Sequence, residues 1–478
     1  MNNKKQPIPA LLGMVLIGGL IGTGSVQAGG FSTPTYGAPG WGRAFGGGSL
    51  FKNDPSAAYN NPAAMAFIDQ NVAQMTVDYA RIKLKYKGTA TDYQGNPASQ
   101  TPIGPDGLPS GPATQLNGDG GEGGFTAWLP TGFLVMPIND RFAFGLSQVV
   151  PQGMRSTWDQ DWKGRDFAVD TKIETVGLTG SLSFKVNDQF AIGGGVIIQN
   201  SKGFVSQNLN LTGAAGMSVL PGAPSGYGAN LMRVKVDNTS VGWFTGIAWK
   251  PTERDTLGLS YHAKIKNKME GKYNIYADAL GRSMMTQQVG PNGETLVELA
   301  YPGLKLFPDG ANATTQLDIP ATAGLDWVHV FNDRFTLGVS ATWTQWSSFK
   351  DLTLKSDGNT IVAIPYNYKD SMMYSVGGDY RFTDNLTLRA GLALDKTPTR
   401  DSTRDPRIPD NDRLFTSIGF GYDLRAVPGL TIDGAYSRQF VKEAKLKTQN
   451  QDRLGGSSLD GKVDAKGEVV SLSATYHF

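Results

Sequence analysis

The chain has 478 residues, with 44 Lys+Arg against 42 Asp+Glu, three His and no Cys. Balanced charge argues against a non-specific nucleic-acid binder, which shows a basic excess, and absent Cys excludes disulfide scaffolds, thiolate zinc sites and Cys nucleophiles. A 40% hydrophobic content cannot supply many of the ~20-residue apolar spans of a helical membrane protein, whereas 61 Gly and 10% aromatics suit an ordered, loop-rich protein built of strands.

The chain opens with Lys4 and Lys5, then the apolar run 10–22, then Val26-Gln27-Ala28. This is the three-part pattern of a secretory signal peptide, with cleavage expected after Ala28. Residues 1–28 are therefore assigned to a signal peptide, and absent Cys fits export. Residues 29–70 show no alternation, hold many glycines and end in Asn61-Pro62-Ala63-Ala64. Phe31, Tyr36, Trp41, Phe45, Phe51 and Tyr59 in this stretch argue against disorder and for a compact plug over a periplasmic tail.

Residues 71–478 carry fourteen segments in which apolar and polar residues alternate with period two, the mark of strands with one greasy face. They lie at 72–86, 125–137, 142–150, 175–186, 192–200, 241–249, 256–266, 317–330, 335–346, 372–382, 386–394, 414–424, 430–440 and 470–478. The first changes parity between Tyr79 and Ile82, which predicts a bulge. Short Asn/Asp/Pro/Gly links alternate with long stretches at 87–123, 152–170, 202–237, 267–314, 350–370, 396–412 and 442–467. Short turns on one side, long loops on the other and an even number of ~10-residue strands describe an all-β fold: a 14-stranded antiparallel transmembrane β-barrel in a Gram-negative outer membrane. Lys264, Lys266, Arg389 and Asp395 fall on the polar faces of their strands, as a lipid-facing outer wall requires. The terminal alternation ends on Phe478, which resembles the assembly signal of outer-membrane barrels. Fourteen strands leave room for a luminal plug.

Asn61-Pro62-Ala63 after a Gly-rich segment resembles the hatch motif of the FadL/TodX family of outer-membrane transporters for hydrophobic compounds. The similarity continues through Leu259-Ser260-Tyr261-His262, Trp343-Thr344-Gln345-Trp346-Ser347-Ser348-Phe349, Gly391-Leu392-Ala393-Leu394-Asp395 and Ile408-Pro409-Asp410-Asn411-Asp412-Arg413. The resemblance implies a barrel with an N-terminal hatch. A hydrophobic ligand is captured on outer loops, passed to an inner site touching the hatch, and released sideways where the third strand is kinked. Pro151 and Gly153 suit that opening, since Pro removes a ladder donor and both residues mark bulges or edges; the alternative is that Pro151 merely ends the strand.

The loop at 202–237 holds Leu209, Leu211, Met217, Val219, Leu220, Leu231 and Met232, and the loop at 267–314 holds Leu304, Leu306 and Phe307. Apolar residues this dense in outer loops either cover each other or bind a ligand, and the family's capture groove lies between these loops. Phe31 matches a family Phe that reaches the inner ligand site. The position aligned with the basic residue that meets the carboxylate in fatty-acid members is near Thr353, so Lys355, two residues on, is the candidate. The second basic position falls near uncharged Ser206. That departure leaves room for a neutral ligand such as an aromatic hydrocarbon beside the long-chain fatty acid.

His262, His329 and His477 lie in different strands without metal spacing, no nucleophile motif occurs, and residues 117–122 lack calcium-loop spacing and read as a flexible tip. The expectation is a transporter rather than an enzyme, with no metal or cofactor. Its partners are a hydrophobic small molecule, outer-membrane lipid and lipopolysaccharide, and the barrel assembly machinery through Phe478, and it works as a monomer. A diffusion porin is the alternative of a different class, and the plug-like segment and apolar loops argue against it.

Overall fold

The computed structural model describes residues 29–92, 95–211, 230–449 and 457–478; the signal-peptide reading of 1–28 and loop residues Met217, Val219 and Leu220 lie outside them. Fourteen antiparallel strands close into a barrel. They are β1 (Val72–Thr91), β2 (Phe125–Pro137), β3 (Phe142–Val149 and Gly153–Thr157), β4 (Asp170–Lys185), β5 (Phe190–Asn208), β6 (Leu231–Trp249), β7 (Asp255–His262 and Lys268–Tyr276), β8 (Ala311–Gln316 and Thr322–Val330), β9 (Phe335–Thr344 and Asp351–Ser356), β10 (Asn359–Pro365 and Ser371–Arg381), β11 (Leu386–Asp395), β12 (Arg413–Asp423), β13 (Leu430–Val441 and Ala444–Gln449) and β14 (Ser458–His477). Closure runs from Val72 opposite His477 to Thr91 opposite Ser458.

The unbroken register of β1 against β14 and β2 removes the expected bulge between Tyr79 and Ile82. What changes there is the surroundings. Below Ala80, β1 points Met75 and Val77 outward, and Gln74, Thr76 and Asp78 inward; above it, Arg81, Lys85 and Lys87 are exposed while Ile82, Leu84 and Tyr86 are buried. A straight strand thus leaves the bilayer, and its two faces exchange polarity. Exposed Trp128, Leu182, Val196, Leu259, Leu325, Val376, Ile418 and Leu472 continue the apolar band around the ring.

The strands also run past the band, so several expected loops are strand. Residues 350–370 form a hairpin in which Asp357 (φ 47°) and Gly358 (φ 84°) make the two-residue turn, as a type I′ link requires. Lys264 and Lys266 do not continue the luminal face of β7. The strand pauses after His262, and both lysines are exposed on either side of buried Ile265. Residues 117–122 are docked, not a free tip, with Gly118 bridged to Trp162 and Asp119 paired with Lys163 at 2.9 Å.

The N-terminal segment touches strands on opposite sides of the closed ring, which locates it inside. The short helices α1 (Ala38–Gly42) and α2 (Ala57–Asn60) and the 3-10 turn Pro62–Phe67 are its regular parts. Trp41 Nε1 donates to Asp78 on β1 (3.1 Å), Ser340 of β9 donates to the Phe45 carbonyl (3.3 Å), and Ser181 of β4 donates to the Ala58 carbonyl (2.7 Å). The Arg43 side chain, 2% exposed, pairs with Asp54 at 2.9 Å and with Asp379 of β10 at 3.2 Å. Arg389 extends this network to Asp379 and Asp433.

Candidate functional site

The exchange of polarity in the wall gives the upper lumen an apolar lining. A narrow cavity is lined there by Ile173, Val205, Met232, Val234, Val236, Met269, Phe349, Leu354, Ile364 and Ile408 among others. Thr171, Gln207, Thr315 and Tyr366 are its polar wall residues; Lys172 also lines it, and its Nζ turns to Glu174 at 2.5 Å.

Helices α3 (Ala279–Thr286) and α4 (Leu296–Ala300) cover this region. Asp278 caps α3 through the Gly281 N–H, and Thr295 with Glu298 forms a capping box on α4, each satisfying amides that a short helix leaves open. Their Met284, Met285 and Val297 join Leu209, Leu211, Leu304 and Leu306 in one buried cluster, with Phe307 packed on it. The two apolar loop regions therefore do meet over the chamber.

Phe31 belongs to the same cluster and is fully buried. Its ring packs edge-on to Trp346 at 4.6 Å and to Phe349 at 5.5 Å. Both partners come from a digression in β9, where the 3-10 turn Trp346–Ser348 interrupts the ladder and turns the rings inward. Phe349 lines the upper chamber, and Trp346 lines a second, more polar cavity below, shared with Ser32, Tyr36, Pro151, Gln199, His262 and Asp395. Phe31 stands between the two.

The third strand does not end at Pro151; it breaks and resumes. Register sums shift by one residue between Val149 opposite Gly177 and Gly153 opposite Glu174. Thr175 spans the break with its hydroxyl, accepting from Gln152 N (2.9 Å) and donating to its carbonyl (2.8 Å). On the other side, the β2–β3 register stops at Gly132 opposite Gln148, leaving Phe125–Thr131 without a ladder partner on β3. The N-terminal segment occupies the inner side of this break: Gly153 N donates to the Phe31 carbonyl (2.8 Å) and Thr33 N to the Pro151 carbonyl (3.0 Å). Phe31, Pro151 and Gly153 are thus brought together.

Loop 396–412 folds inward above them. Gly29 N donates to Asp395 at 2.6 Å and Gly30 N to Asp410 at 3.1 Å, while Ser156 beyond the β3 break donates to the Arg407 carbonyl. Arg407, fully buried, makes two 2.9 Å bonds to Asp405 and a short one to Gln207 of the chamber wall. Asn61 opens the 3-10 turn of Pro62 and Ala63, its Oδ1 accepting from Ala63 N and its Nδ2 donating to the Ile247 carbonyl of β6. This trio lies low in the barrel, away from the chamber. Lys355 also stays out of it: it is exposed, while Leu354 beside it faces the cavity. Parity explains this, since Leu354, not Lys355, has the inward register of β9.

The sequence reading places Met232 in a loop and does not single out Val234 and Val236, although Arg233, Lys235 and Asp237 alternate with them as in any strand. Gln207 and Arg407 carry no local sign, because their meeting depends on an inward fold 200 residues apart. His262 donates from Nε2 to the Tyr59 carbonyl and stacks on Phe244, and His329 bonds Asp255 through Nδ1.

Residues 19–478 match the family described as outer membrane protein transport protein (OMPP1/FadL/TodX). The chain is 25% identical to a 47 kDa outer membrane protein of Pasteurella multocida over 95% of each chain, and 24% identical to a long-chain fatty acid transport protein of Escherichia coli over 87% of this chain and 88% of the relative. The crystal structure of a Pseudomonas aeruginosa FadL homologue superposes with a TM-score of 0.88 and 63% identity, covering 94% of this chain and all of that one (100%). The Pseudomonas putida toluene transporter TodX shares the fold at 18% identity, with a TM-score of 0.65 over 93% and 98% of the two chains. A match over nearly the whole sequence, on a barrel built in this way, makes the chain a member of the OMPP1/FadL/TodX family of outer-membrane transport proteins.

Proposed function

We propose that this protein takes up hydrophobic small molecules across the outer membrane, long-chain fatty acids foremost. The observation that carries the reading is an apolar chamber lined by Phe349, whose ring packs on Phe31, a residue whose own backbone is hydrogen-bonded into the break of β3. Outer loops bearing Leu304, Leu306 and Phe307 capture the ligand, and the chamber holds it at about 0.8 kcal/mol for each buried CH₂. Displacing Phe31 then disturbs the bonds to Pro151 and Gly153. The N-terminal segment acts as the hatch, with Asn61-Pro62-Ala63 fastening it low in the barrel, so the ligand leaves sideways rather than down the axis. The protein works as a monomer, exported by a signal peptide cleaved after Ala28 and assembled through Phe478.

The break at residues 150–152 supports a lateral exit because the pairs Gln148–Gly132 and Gly132–Met75 put it level with exposed Val77 and Trp128, at bilayer height. An apolar ligand gains by moving there. A neutral aromatic cargo is the second reading, favoured by a chamber wall whose one cation, Lys172, is paired with Glu174 and whose one amide is Gln207. A carboxylate would be received by Gln207 with Arg407 behind it, and Gln207→Leu separates the two readings: oleate uptake falls several-fold while toluene uptake holds if fatty acid is the cargo.

The decisive variant deletes Pro151, which removes the one-residue offset and lets β3 pair with β4 in a single register. Uptake of oleate and toluene is measured in cells lacking their own transporters. Loss of uptake with a normally assembled barrel is expected; undiminished uptake would overturn lateral release.

A further inference from the structure

Above the apolar band, the outward faces of β13, β14 and β1 carry a field of cations. Going up β1, Met75 and Val77 give way to Arg81, Lys83, Lys85 and Lys87; on β14, Leu472 and Val470 give way to Glu468, Lys466, Asp464 and Lys462; on β13, Arg438 is followed by Lys445 and Lys447. The buried residues between them, Leu84, Tyr86, Val463, Ala465 and Leu446, fix the direction of the charges.

The register sets Arg81 opposite Glu468 and Lys85 opposite Asp464, but in the rows that alternate with these it sets like charges side by side. Lys83 is opposite Lys466, and Lys87 is opposite Lys462, which is itself opposite Lys445. Three lysines therefore stand in one row across three strands spaced about 4.8 Å apart, an arrangement that destabilises a sheet unless something neutralises it. Carboxylates answer only part of the field: Glu443 pairs with Lys462 at 2.8 Å, Asp464 with Lys466 at 3.7 Å, Asp460 with Lys447 at 4.0 Å, and Glu468 with Arg438. Among the described residues, Arg81, Lys83, Lys85, Lys87 and Lys445 have no carboxylate within ion-pair distance.

Height completes the argument. With strands tilted by about 40°, each residue climbs roughly 2.5 Å along the membrane normal, so the row begins where the apolar band stops and rises through the headgroup layer. We propose that this face is a docking site for the phosphates of an outer-leaflet phosphoglycolipid, whose acyl chains lie against Val77, Val470 and Leu472 below. A lipid whose phosphates and acyl chains are joined satisfies both levels of the wall at once; a free anion satisfies one.

The test uses the purified full-length barrel in detergent and three probes: bisphosphoryl lipid A, the same lipid with both phosphates removed, and inorganic phosphate. Binding is read by native mass spectrometry and by titration at low and high salt. The expected result is retention of bisphosphoryl lipid A, weakened by salt and reduced at least about tenfold in the triple variant K83Q/K87Q/K445Q. The dephosphorylated lipid should bind the wild type at least about tenfold more weakly. A folded variant is recognised by its unheated gel mobility and unchanged oleate uptake. Equal binding of the two lipids, equal binding by variant and wild type, or inorganic phosphate binding as tightly as lipid A would each overturn the proposal.

Discussion

The lower and upper halves of the barrel are built from the same strands in one register, yet they are inside-out copies of each other. Low in the ring, Val77 and Leu472 face out, whereas Thr76, Asp78, Ser471 and Ser473 face in and bond the N-terminal segment or each other. High in the ring, Lys85 and Lys462 face out, while Leu84, Tyr86 and Val463 face in. An apolar ligand therefore finds a compatible lumen only in the upper half. Beneath it, the inner wall is polar and faces the N-terminal segment and the more polar cavity, and the apolar medium at that height lies outside the wall. The break in β3 sits where inside and outside exchange character, which is where a sideways step costs least.

The sharpest way to break this contrast is to unseat the lower filling. A Cβ on Gly46 would lie 2.3 Å from the Gly377 amide nitrogen and 2.7 Å from the Val376 carbonyl carbon, and neither backbone atom can yield cheaply. Gly46→Val should prevent the segment from seating and convert a closed barrel into one with large conductance steps in planar bilayers. A variant that stays closed would mean that Gly46 is not what sets the fit.

Next in size is the boundary. Trp346→Ala removes a fully buried ring that packs edge-on against Phe31, a change that costs about 3–5 kcal/mol in a well-packed core. It should join the chamber to the cavity below and speed deuterium exchange at Phe31–Thr33. Unaltered exchange there would show that Phe31 is held from elsewhere.

A paired substitution then tests the inversion itself. Val77→Lys puts a charge on the lipid face, at about 2–4 kcal/mol near mid-bilayer. Lys85→Leu, eight residues up on the same face, should change stability by no more than ~0.5 kcal/mol. Urea unfolding in liposomes measures both, and equal losses would remove the distinction between the two levels.

The same inversion explains what could be read from the residues alone. Alternation identified the fourteen strands, because a period of two is a property of the strand and not of its surroundings. Which face was which could not be read in the same way. Alternation that changes sign at Tyr79–Ile82 looks like an inserted residue, but it is a straight strand crossing from lipid to water. The extensions at Lys268–Tyr276 and Asp351–Ser356 resemble loop in sequence for a related reason: their outward residues are charged and their apolar ones face in. Leu304, Leu306 and Phe307 are legible as apolar residues in an outer loop that need cover, and Phe31 through its match to the family. Gln207 with Arg407, and the bonds from Phe31 and Thr33 to the β3 break, arise from closure of the ring and leave no trace in local sequence.

A smaller loss than that of Val77→Lys is predicted in loop 396–412, which hangs from the water side of the upper half. Asp412 accepts from Thr397 N at 3.0 Å and pairs with Lys396 Nζ at 3.0 Å. Partial burial disfavours its charged form, but the Thr397 amide and the Lys396 ammonium outweigh that and hold the carboxyl below its ordinary value of 3.8. A carboxyl depressed in the folded state contributes stability that is complete above its ordinary value and is lost as pH falls through the lower, folded one. The side chains of Asp412 and Lys396 are 32% and 47% exposed, so solvent screening keeps the contribution to ~1 kcal/mol at most. Asp412→Asn should accordingly raise deuterium exchange in this loop by up to about fivefold at neutral pH. Wild type and variant should converge once the pH is well below the carboxylate range. Persistence of the difference in acid would mean that Asp412 acts through its shape rather than its charge. Convergence would show that the upper half, unlike the lower, is trimmed by charges still in touch with water.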